Sequence, residues 1–574
     1  MAGNKSMASR TTRSTKIDSL QLVEELDESL DGQAEQIPSG RDKCVKCGRK
    51  SHVDDLEGIK TKQSMSKKKS QKHKSRGYQW ISCANCSKWY HYVCSGLEQY
   101  EYYLYEKFHC EDCIEEVGPS VEYMNIAPHR YRWYLEKERK NKEVEVGTEK
   151  WIEGFIKKES KLPKPNDSEV VHCKDGHDFK TKFEQEGGAS KWTKVFLVDK
   201  LDGLDMVMPK KDEFDLEDVV NIMGHNSEVD TIDVFNQNTF SMKLSTFLKK
   251  YHDSEPRKRL YNFLSLEFSG NQQMRQIVKA PKFVRDISMI DRLWPERGSE
   301  AYQRAKQMSE HLPDEEQRPR VEEFCLAGMA GSYTDFHIDF GGSSVYYHIL
   351  KGQKIFYIGA PTDKNLKAFQ EHECTKKTHE WFGNKIKGSI KRVVIDEGQT
   401  LLVPAGWIHA VLTPIDSLVF GGNFLHLGNA EMQLKVYQLE NVIRSVVNSD
   451  EKFFFPNFEY VHWLYIQNVM LEALKEANDE GTDMTENDGT TWQAAKFIVV
   501  EMRKWYDRDG MMKRNKMEEK DYLEKGQLLQ SFEVQVKRQE KINAGKPRKN
   551  KRKCPEQQRD AIDEKKKRTM RKKE

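Results

Sequence analysis

Four two-ligand pairs crowd into one short stretch of the chain: Cys44-x2-Cys47, Cys83-x2-Cys86, His91-x2-Cys94 and Cys110-x2-Cys113. A two-residue spacer turns the backbone back on itself, so both side chains of a pair reach one cation, and four pairs supply two tetrahedral sites. Cysteines acting only as small buried hydrophobes would not produce this spacing. Seven of the eleven cysteines lie in this block, and the first thirty residues lack the apolar segment of a secretory signal. Disulfides are therefore not expected; thiolates on two Zn(II) ions are.

The remaining length leaves room for more. At 574 residues, two to four domains are expected, and with 32% charged residues some segments should be solvated tails or linkers. No run of about eighteen apolar residues occurs, which excludes a helical membrane span. The net charge of +3 hides local basic runs at Ser66–Arg76, Lys546–Lys553 and Lys565–Lys573. Each is either a solvated tail or a nuclear import signal or nucleic-acid arm. The two C-terminal runs are spaced like a bipartite import signal.

A second chemical signal is "TDFHIDFGGSSVYYHILKGQKIFY", residues 334–357. On an extended chain His337 and Asp339 project to one face, into either a metal or a buried ion pair. Such a motif alone is weak: "HVD" at His52–Asp54 fits as well, in a polar stretch with nothing to hold a metal. Context distinguishes the later one. Turn glycines Gly341, Gly342 and Gly352 punctuate it, and "GQTLLVPAGWIHAVLTPIDSLVFGGNFLH" (398–426) alternates apolar runs with turns, as an antiparallel barrel would. His409 stands on one of those apolar runs. Two histidines and one carboxylate leave three positions of an octahedral Fe(II) open for a chelating co-substrate and dioxygen. A two-residue turn at Lys351-Gly352 would make Tyr347 and Lys354 diagonal neighbours on adjacent strands, roughly 7 to 8 Å apart, both within reach of one carboxylate. His348 is out of phase with Tyr347 and is expected on the other face of the barrel. His372, Cys374 and His379, in a polar insertion, leave a third zinc open.

The ligand order of the cysteine block, with Phe108 two residues before Cys110, resembles the PHD finger family rather than a RING. The resemblance implies interleaved sites: Cys44, Cys47, His91 and Cys94 on one zinc, Cys83, Cys86, Cys110 and Cys113 on the other. It also implies an aromatic cage for methyl-lysine at Trp80 and Trp89, with Tyr78 a weaker member, since aromatic faces attract a quaternary ammonium. The spacing from Cys47 to Cys83 is longer than usual, and the excess is a Lys/Ser-rich insertion. Farther on, His337, Asp339 and His409 resemble the iron ligands of the JmjC family of Fe(II)/2-oxoglutarate oxygenases. That likeness implies a double-stranded β-helix, 2-oxoglutarate held by Thr334, Tyr347, Lys354 and Asn262, and Asn423 lining a methyl-lysine pocket.

The domain order, with "SLEFS", "LWP", "SYTDFHIDFGG", "GWIHAVLTP" and "GGNFLHLGN", resembles the PHD-JmjC histone lysine demethylases from about Cys44 to about Trp505. What this implies is nuclear removal of methyl groups from mono- and dimethylated lysines 9 and 27 of histone H3, on nucleosomes, with the finger on trimethylated lysine 4. Oxidising an N-methyl carbon needs no lone pair on nitrogen, so any preference for dimethyl-lysine must come from pocket size. Lysine 9 lies at most about 18 Å from lysine 4 along an extended tail, and lysine 27 up to about 80 Å. Finger-to-pocket distance therefore selects between them.

The expected architecture is α+β: an N-terminal tail at 1–40, a PHD finger at 41–116 with its insertion at 51–77, and a semi-rigid, largely helical connector at 117–180 favouring the longer span. A JmjC jelly-roll domain at 181–450, a helical region at 451–535 and a basic tail at 536–574 follow. The helical region is expected to pack on the catalytic domain, with dimerisation as the other reading. The basic tails are expected as contacts to DNA phosphates, weakening steeply with salt. Two competing functions remain: a chromatin reader with an inactive JmjC domain, and a protein hydroxylase.

Overall fold

The computed structural model describes residues 43–48, 80–91, 93–97, 105–122 and, with short breaks, 144–545. The tail at 1–40, the insertion at 51–77 and the basic runs beyond 545 lie outside the described residues. The chain divides into two compact units, one holding Met1–Val144 and Asn226–Arg259, the other Glu145–His225 and Leu260–Glu574.

In the first unit, β1 (Trp80–Ser82) pairs antiparallel with β2 (Trp89–His91), and β3 (Tyr105–Lys107) with β4 (Val121–Glu122). Helix α1 (Glu111–Val117) starts one residue after Cys110 and carries Cys113. So little regular structure buries little apolar surface. The core consists of Trp80, Ile81, Tyr90 and Phe108 packed around the cysteines themselves. Residues 226–259 include an antiparallel hairpin, β7 (Glu228–Asp233) and β8 (Asn238–Lys243), whose Val229 and Met242 are paired and buried.

The second unit is built on a sheet. Its strands are β5 (Val170–Cys173), β6 (Val195–Val198), β9 (Tyr261–Glu267), β10 (Phe324–Gly328), β11 (Ser332–His337), β12 (Ser344–Gly359), β13 (Ile390–Asp396), β14 (Thr400–Val403) and β15 (Ile408–Phe424). They run in the order β5-β6-β14-β12-β15-β10-β9, with β11 on β15 and β13 on β12. All of these pairings are antiparallel except β5 with β6. This is the expected jelly-roll, and its long central pair β12–β15 is rich in β-branched and aromatic residues that suit a buried pleated surface. Val345, Ile349, Phe356, Ile358, Val411 and Val419 fill one face.

Three sequence expectations need correction. The turn at Lys351-Gly352 does not form. β12 continues through it as one strand, and its register against β15 slips between Ile349 and Ile355. Gly352 sits there at φ +88°, and a Cβ on it would lie 2.1 Å from the Asp416 carbonyl oxygen. The glycine thus marks a bulge where two strands press together, not a hairpin. The connector at 117–180 is also shorter than expected. From Glu145 the chain belongs to the sheet's unit, β5 is one of its strands, and α2 (Glu149–Glu159) is fastened to it through Arg392 and Tyr357, which both donate to Glu159. Buried Val170 and Cys173 explain why: the jelly-roll needs them to close its edge.

Finally, the tail expected from 536 begins inside a helix. Beyond the sheet come α4 (Ala430–Val447), helices Phe458–Tyr465 and Leu471–Glu480 joined by a π-helical turn, α5 (Gly489–Met512) and α6 (Glu519–Gly545). α3 (Asp363–Thr375) lies earlier, between β12 and β13. Val536 and Gln539 of α6 are buried, and Gln539 donates to the Thr482 carbonyl at 2.7 Å. These helices share one core with Ile290, Leu293 and Leu425, so the bundle packs on the catalytic unit as expected. No described helix is long and apolar enough to cross a membrane.

Candidate functional site

Three clusters of metal-type ligands occur among the described residues, and within each the ligand atoms lie within 4.8 Å of one another. Two are in the finger: Cys44, Cys47, His91 and Cys94, and Cys83, Cys86, Cys110 and Cys113. The turns that shape them are tight, with Gly48 N–H donating to the Cys44 carbonyl at 2.7 Å and Ser87 N–H to Cys83 at 2.9 Å. Backbone amides also reach the sulfurs, from His91 to Cys44 (3.4 Å) and from Cys110 to Cys83 (3.3 Å). Burial opposes ionisation of Cys83, but the amides of Cys86, Cys110 and Asn85 outweigh it and bring the thiol down to about 6. Four sulfur or imidazole ligands per cluster fit tetrahedral zinc.

Trp80 and Trp89 leave the same face of the β1–β2 ribbon, by their pairing with His91 and Ser82. Trp80 is buried with its ring 4.1 Å from that of His91. Trp89 is half-buried and keeps the more accessible face. Tyr78 and the His52–Asp54 motif lie outside the described residues. His372, Cys374 and His379 belong to none of the three clusters.

The third cluster is His337, Asp339 and His409. β11 pairs with β15 so that His337 stands opposite His409, and Asp339 follows directly at the start of a short turn. The two imidazole rings are 4.2 Å apart, and His409 Nε2 lies 3.8 Å from Asp339 Oδ2. Each Nδ1 meets a carbonyl two residues back, Asp335 for His337 (2.9 Å) and Trp407 for His409 (3.1 Å). A carbonyl can only accept, so each Nδ1 carries the proton and each Nε2 is left with its lone pair. Burial, reinforced by His337, pulls His409 down to about 4 and keeps it neutral. Asn423 Nδ2 donates to Asp339 Oδ1 (3.1 Å) and to Ser343 Oγ (2.9 Å), fixing the carboxylate. Two imidazoles and one carboxylate on one side of a cation suit a divalent iron with open positions.

Beside this triad sits a polar chamber. Lys354 is 2% exposed, and its Nζ donates to Thr413 Oγ1 at 2.7 Å. Among the described residues no carboxylate pairs with it, and burial alone drives it down to about 7. Asn262 Nδ2 donates to Thr334 Oγ1 at 3.3 Å, while its Oδ1 has no partner. A Cβ on Gly328 would lie 2.8 Å from Lys354 Nζ, 2.9 Å from Asn262 Oδ1 and 3.2 Å from Thr413 Oγ1, so this glycine keeps the chamber open. A buried ammonium without a counter-ion is costly, and hydroxyl and amide groups converge on it. That donor set fits the distal carboxylate of 2-oxoglutarate.

Of the residues read from the sequence, Asn262, Thr334 and Lys354 come together here. Tyr347 is placed on β12 itself, its ring edge-on to Phe356 at 5.1 Å, and Phe356 stacks on His409 at 5.5 Å. His348 is buried as expected, its Nδ1 3.0 Å from Thr400 Oγ1, and burial lowers it to about 4. Thr413 and Gly328 escaped sequence reasoning. Thr413 had a usable signal, since it follows His409 by four residues on one strand and so shares its face.

Comparison with known proteins now bears on the site. Residues 324–424 match the family model described as "JmjC domain, hydroxylase", and residues 428–540 match the "Jumonji helical domain". Lysine-specific demethylase 7B of Danio rerio is 32% identical over 466 residues, covering 81% of this chain and 74% of that protein. The chain belongs to the JmjC lysine-specific demethylase family. Histone lysine demethylase PHF8 of Danio rerio is 35% identical over 396 residues, 69% of this chain and 35% of that protein. Lysine-specific demethylase 7A of Mus musculus is 32% identical over 468 residues, 81% and 46% respectively. The chain thus spans under half the length of those two relatives. Within this JmjC family enzyme the triad and the chamber both fall in the matched domain, on its strands except for Asp339 in the turn after β11, apart from Asn262 on β9.

Proposed function

We propose that the chain is a nuclear histone lysine demethylase that holds Fe(II) through His337, Asp339 and His409 and 2-oxoglutarate through Thr334, Lys354, Asn262 and Tyr347. The observation that carries this is Lys354, a buried amine with hydroxyl and amide neighbours and no acid paired with it among the described residues, near two histidines and one carboxylate. A structural ion pair would have supplied its own counter-ion. Iron, 2-oxoglutarate and dioxygen together supply oxidation of an N-methyl carbon, whose hydroxymethyl product falls apart to formaldehyde as succinate and carbon dioxide leave.

The protein's own groups prepare that chemistry. The Asp335 and Trp407 carbonyls hold the two imidazoles in the ligating tautomer, Asn423 orients Asp339 from the side assigned to the substrate lysine, and Thr413 steadies Lys354. The substrates we assign are mono- and dimethylated lysines 9 and 27 of histone H3. Zinc is assigned to the two finger clusters, and trimethylated lysine 4 to the finger, with Trp89 and Trp80 as the aromatic residues for it.

The test is mass spectrometry of methylated histone H3 peptides incubated with the zinc-loaded protein, Fe(II) and 2-oxoglutarate. Loss of 14 mass units per methyl, abolished by His337→Ala, is expected. A gain of oxygen without loss of methyl would make the enzyme a hydroxylase instead, and loss of methyl surviving His337→Ala would refute the assigned iron ligands.

A further inference from the structure

Thr334 and His337 are three residues apart, so on a regular strand they would point to opposite faces. They do not. Thr334 pairs with Val411 and His337 with His409, so β11 spends three residues where β15 spends two. Val411 and His409 share a face, hence so do Thr334 and His337. One extra residue in β11, a bulge at Asp335–Phe336, brings a co-substrate group and a metal ligand into the same chamber.

Bulges leave backbone groups unpaired, and here one side chain takes up that duty. Asp335 Oδ1 accepts from the Phe336 amide (2.8 Å) and from the Tyr333 hydroxyl (3.1 Å), while the Asp335 carbonyl accepts from His337 Nδ1 (2.9 Å). Tyr333 is itself fixed. Trp381 Nε1 donates to its oxygen at 2.9 Å, and the rings of Trp151 and Phe155 from α2 pack on it at 4.9 and 5.7 Å. Phe336 in turn packs on Trp381 at 5.7 Å. The bulge is thus braced by a tyrosine and two tryptophans that belong neither to the His337, Asp339 and His409 triad nor to the groups around Lys354.

We infer that Asp335, braced by Tyr333 and Trp381, is a positioning residue that locks the β11 bulge and thereby sets metal affinity and 2-oxoglutarate affinity together. This rests on the metal reading of the triad. Because both bonds end on one oxygen, an amide should replace the carboxylate, whereas a methyl group should not.

The experiment uses the zinc-loaded full chain and Mn(II) as probe, followed by the free-ion electron paramagnetic resonance signal, with melting temperature recorded alongside. Wild type should bind one Mn(II) that His337→Ala loses. Asp335→Ala should weaken binding about tenfold or more, the range found when outer-shell partners of metal ligands are removed. It should also raise KM for 2-oxoglutarate several-fold while kcat changes less. Asp335→Asn should stay within about threefold of wild type in both.

Should Asp335→Ala fail to fold, Tyr333→Phe decides: it removes one of the two donors, and a several-fold weakening in the folded variant is expected. Wild-type Mn(II) affinity in Asp335→Ala or in folded Tyr333→Phe overturns the inference, as does Asp335→Asn behaving like Asp335→Ala. Absence of a His337-dependent Mn(II) site in wild type would instead sink the metal reading beneath it.

Discussion

Lys354→Met should make the protein more stable and less able to bind its co-substrate. Burial holds Lys354 near pKa 7, so at pH 7.5 the folded chain keeps this amine mostly neutral while the unfolded chain carries it charged. Surrendering that proton costs roughly 4 kcal/mol, at 1.36 kcal/mol per pH unit. Methionine matches the length without the charge, but leaves the Thr413 hydroxyl without its donor, which costs about 1–3 kcal/mol. The net gain is on the order of 1–3 kcal/mol, a rise of a few degrees in the melting temperature of the catalytic unit.

Binding moves the other way. Losing a charge-assisted bond of about 1.5–3 kcal/mol weakens 2-oxoglutarate by ten- to a hundredfold, and the thermal shift it confers should vanish. The pH dependence has a definite sign. Between about pH 7 and 10 the unfolded chain binds a proton on this lysine that the folded chain does not, so wild-type stability gains from rising pH through that window and Lys354→Met lacks that gain. Co-substrate binding takes the proton back, so wild-type affinity should fall above pH 7. Thermal denaturation and titration calorimetry with Mn(II) and 2-oxoglutarate from pH 6.5 to 9 read both. A lower melting temperature in Lys354→Met together with unchanged affinity would refute the reasoning.

Chelation should release two zinc ions per chain, measured with a colorimetric metal indicator, and unfold the finger while the helical bundle's melting transition stays put, since structural zinc supplies about 10–16 kcal/mol to such a domain; one ion released, or none, would contradict the two clusters. Ending the chain after residue 535 removes buried Val536 and Gln539 and should lower the melting temperature, whereas ending it after residue 545 should not; equal melting curves would mean the end of α6 contributes nothing. On a long histone H3 peptide, trimethylation of lysine 4 should raise turnover at lysine 27 and leave or lower it at lysine 9, read by mass spectrometry; equal effects at both would rule out selection by tether length.

What the sequence made legible depended on how local the signal was. The cysteine pairs and the His337/Asp339 motif bring ligands together through spacings of two or fewer residues, so their chemistry survives ignorance of the fold. His409 needed the barrel, and the alternation of its strand supplied enough. The sequence locates Lys354 but not its isolation, because burial and, among the described residues, the want of an acid partner are properties of packing that no spacing reports. The domain limits erred where a surface-like segment had a job inside. "WIEGFIKKE" reads as a charged connector helix, yet Trp151 and Phe155 cover Tyr333, and Glu159 anchors Arg392.

The most instructive error concerns strand parity. Tyr347 and Lys354 are seven residues apart, as Thr334 and His337 are three, and odd spacings on regular strands mean opposite faces. A hairpin at Gly352 would bring Tyr347 and Lys354 to one face, but β12 slips its register there instead, as β11 does at Asp335–Phe336. One irregularity falls between Thr334 and His337, which it puts on one face, and the other between Tyr347 and Lys354. A jelly-roll built only of regular pairs would gather at most every second side chain of a strand, too few to crowd metal and co-substrate groups along so short a run. The β11 bulge admits one more, and each break in the ladder is relieved locally, by the backbone freedom of Gly352 and by the Asp335 carboxylate. Sheet regularity and site density therefore compete in this protein, and the residues that resolve the competition sit outside the chamber, where neither a motif nor a ligand contact would reveal them.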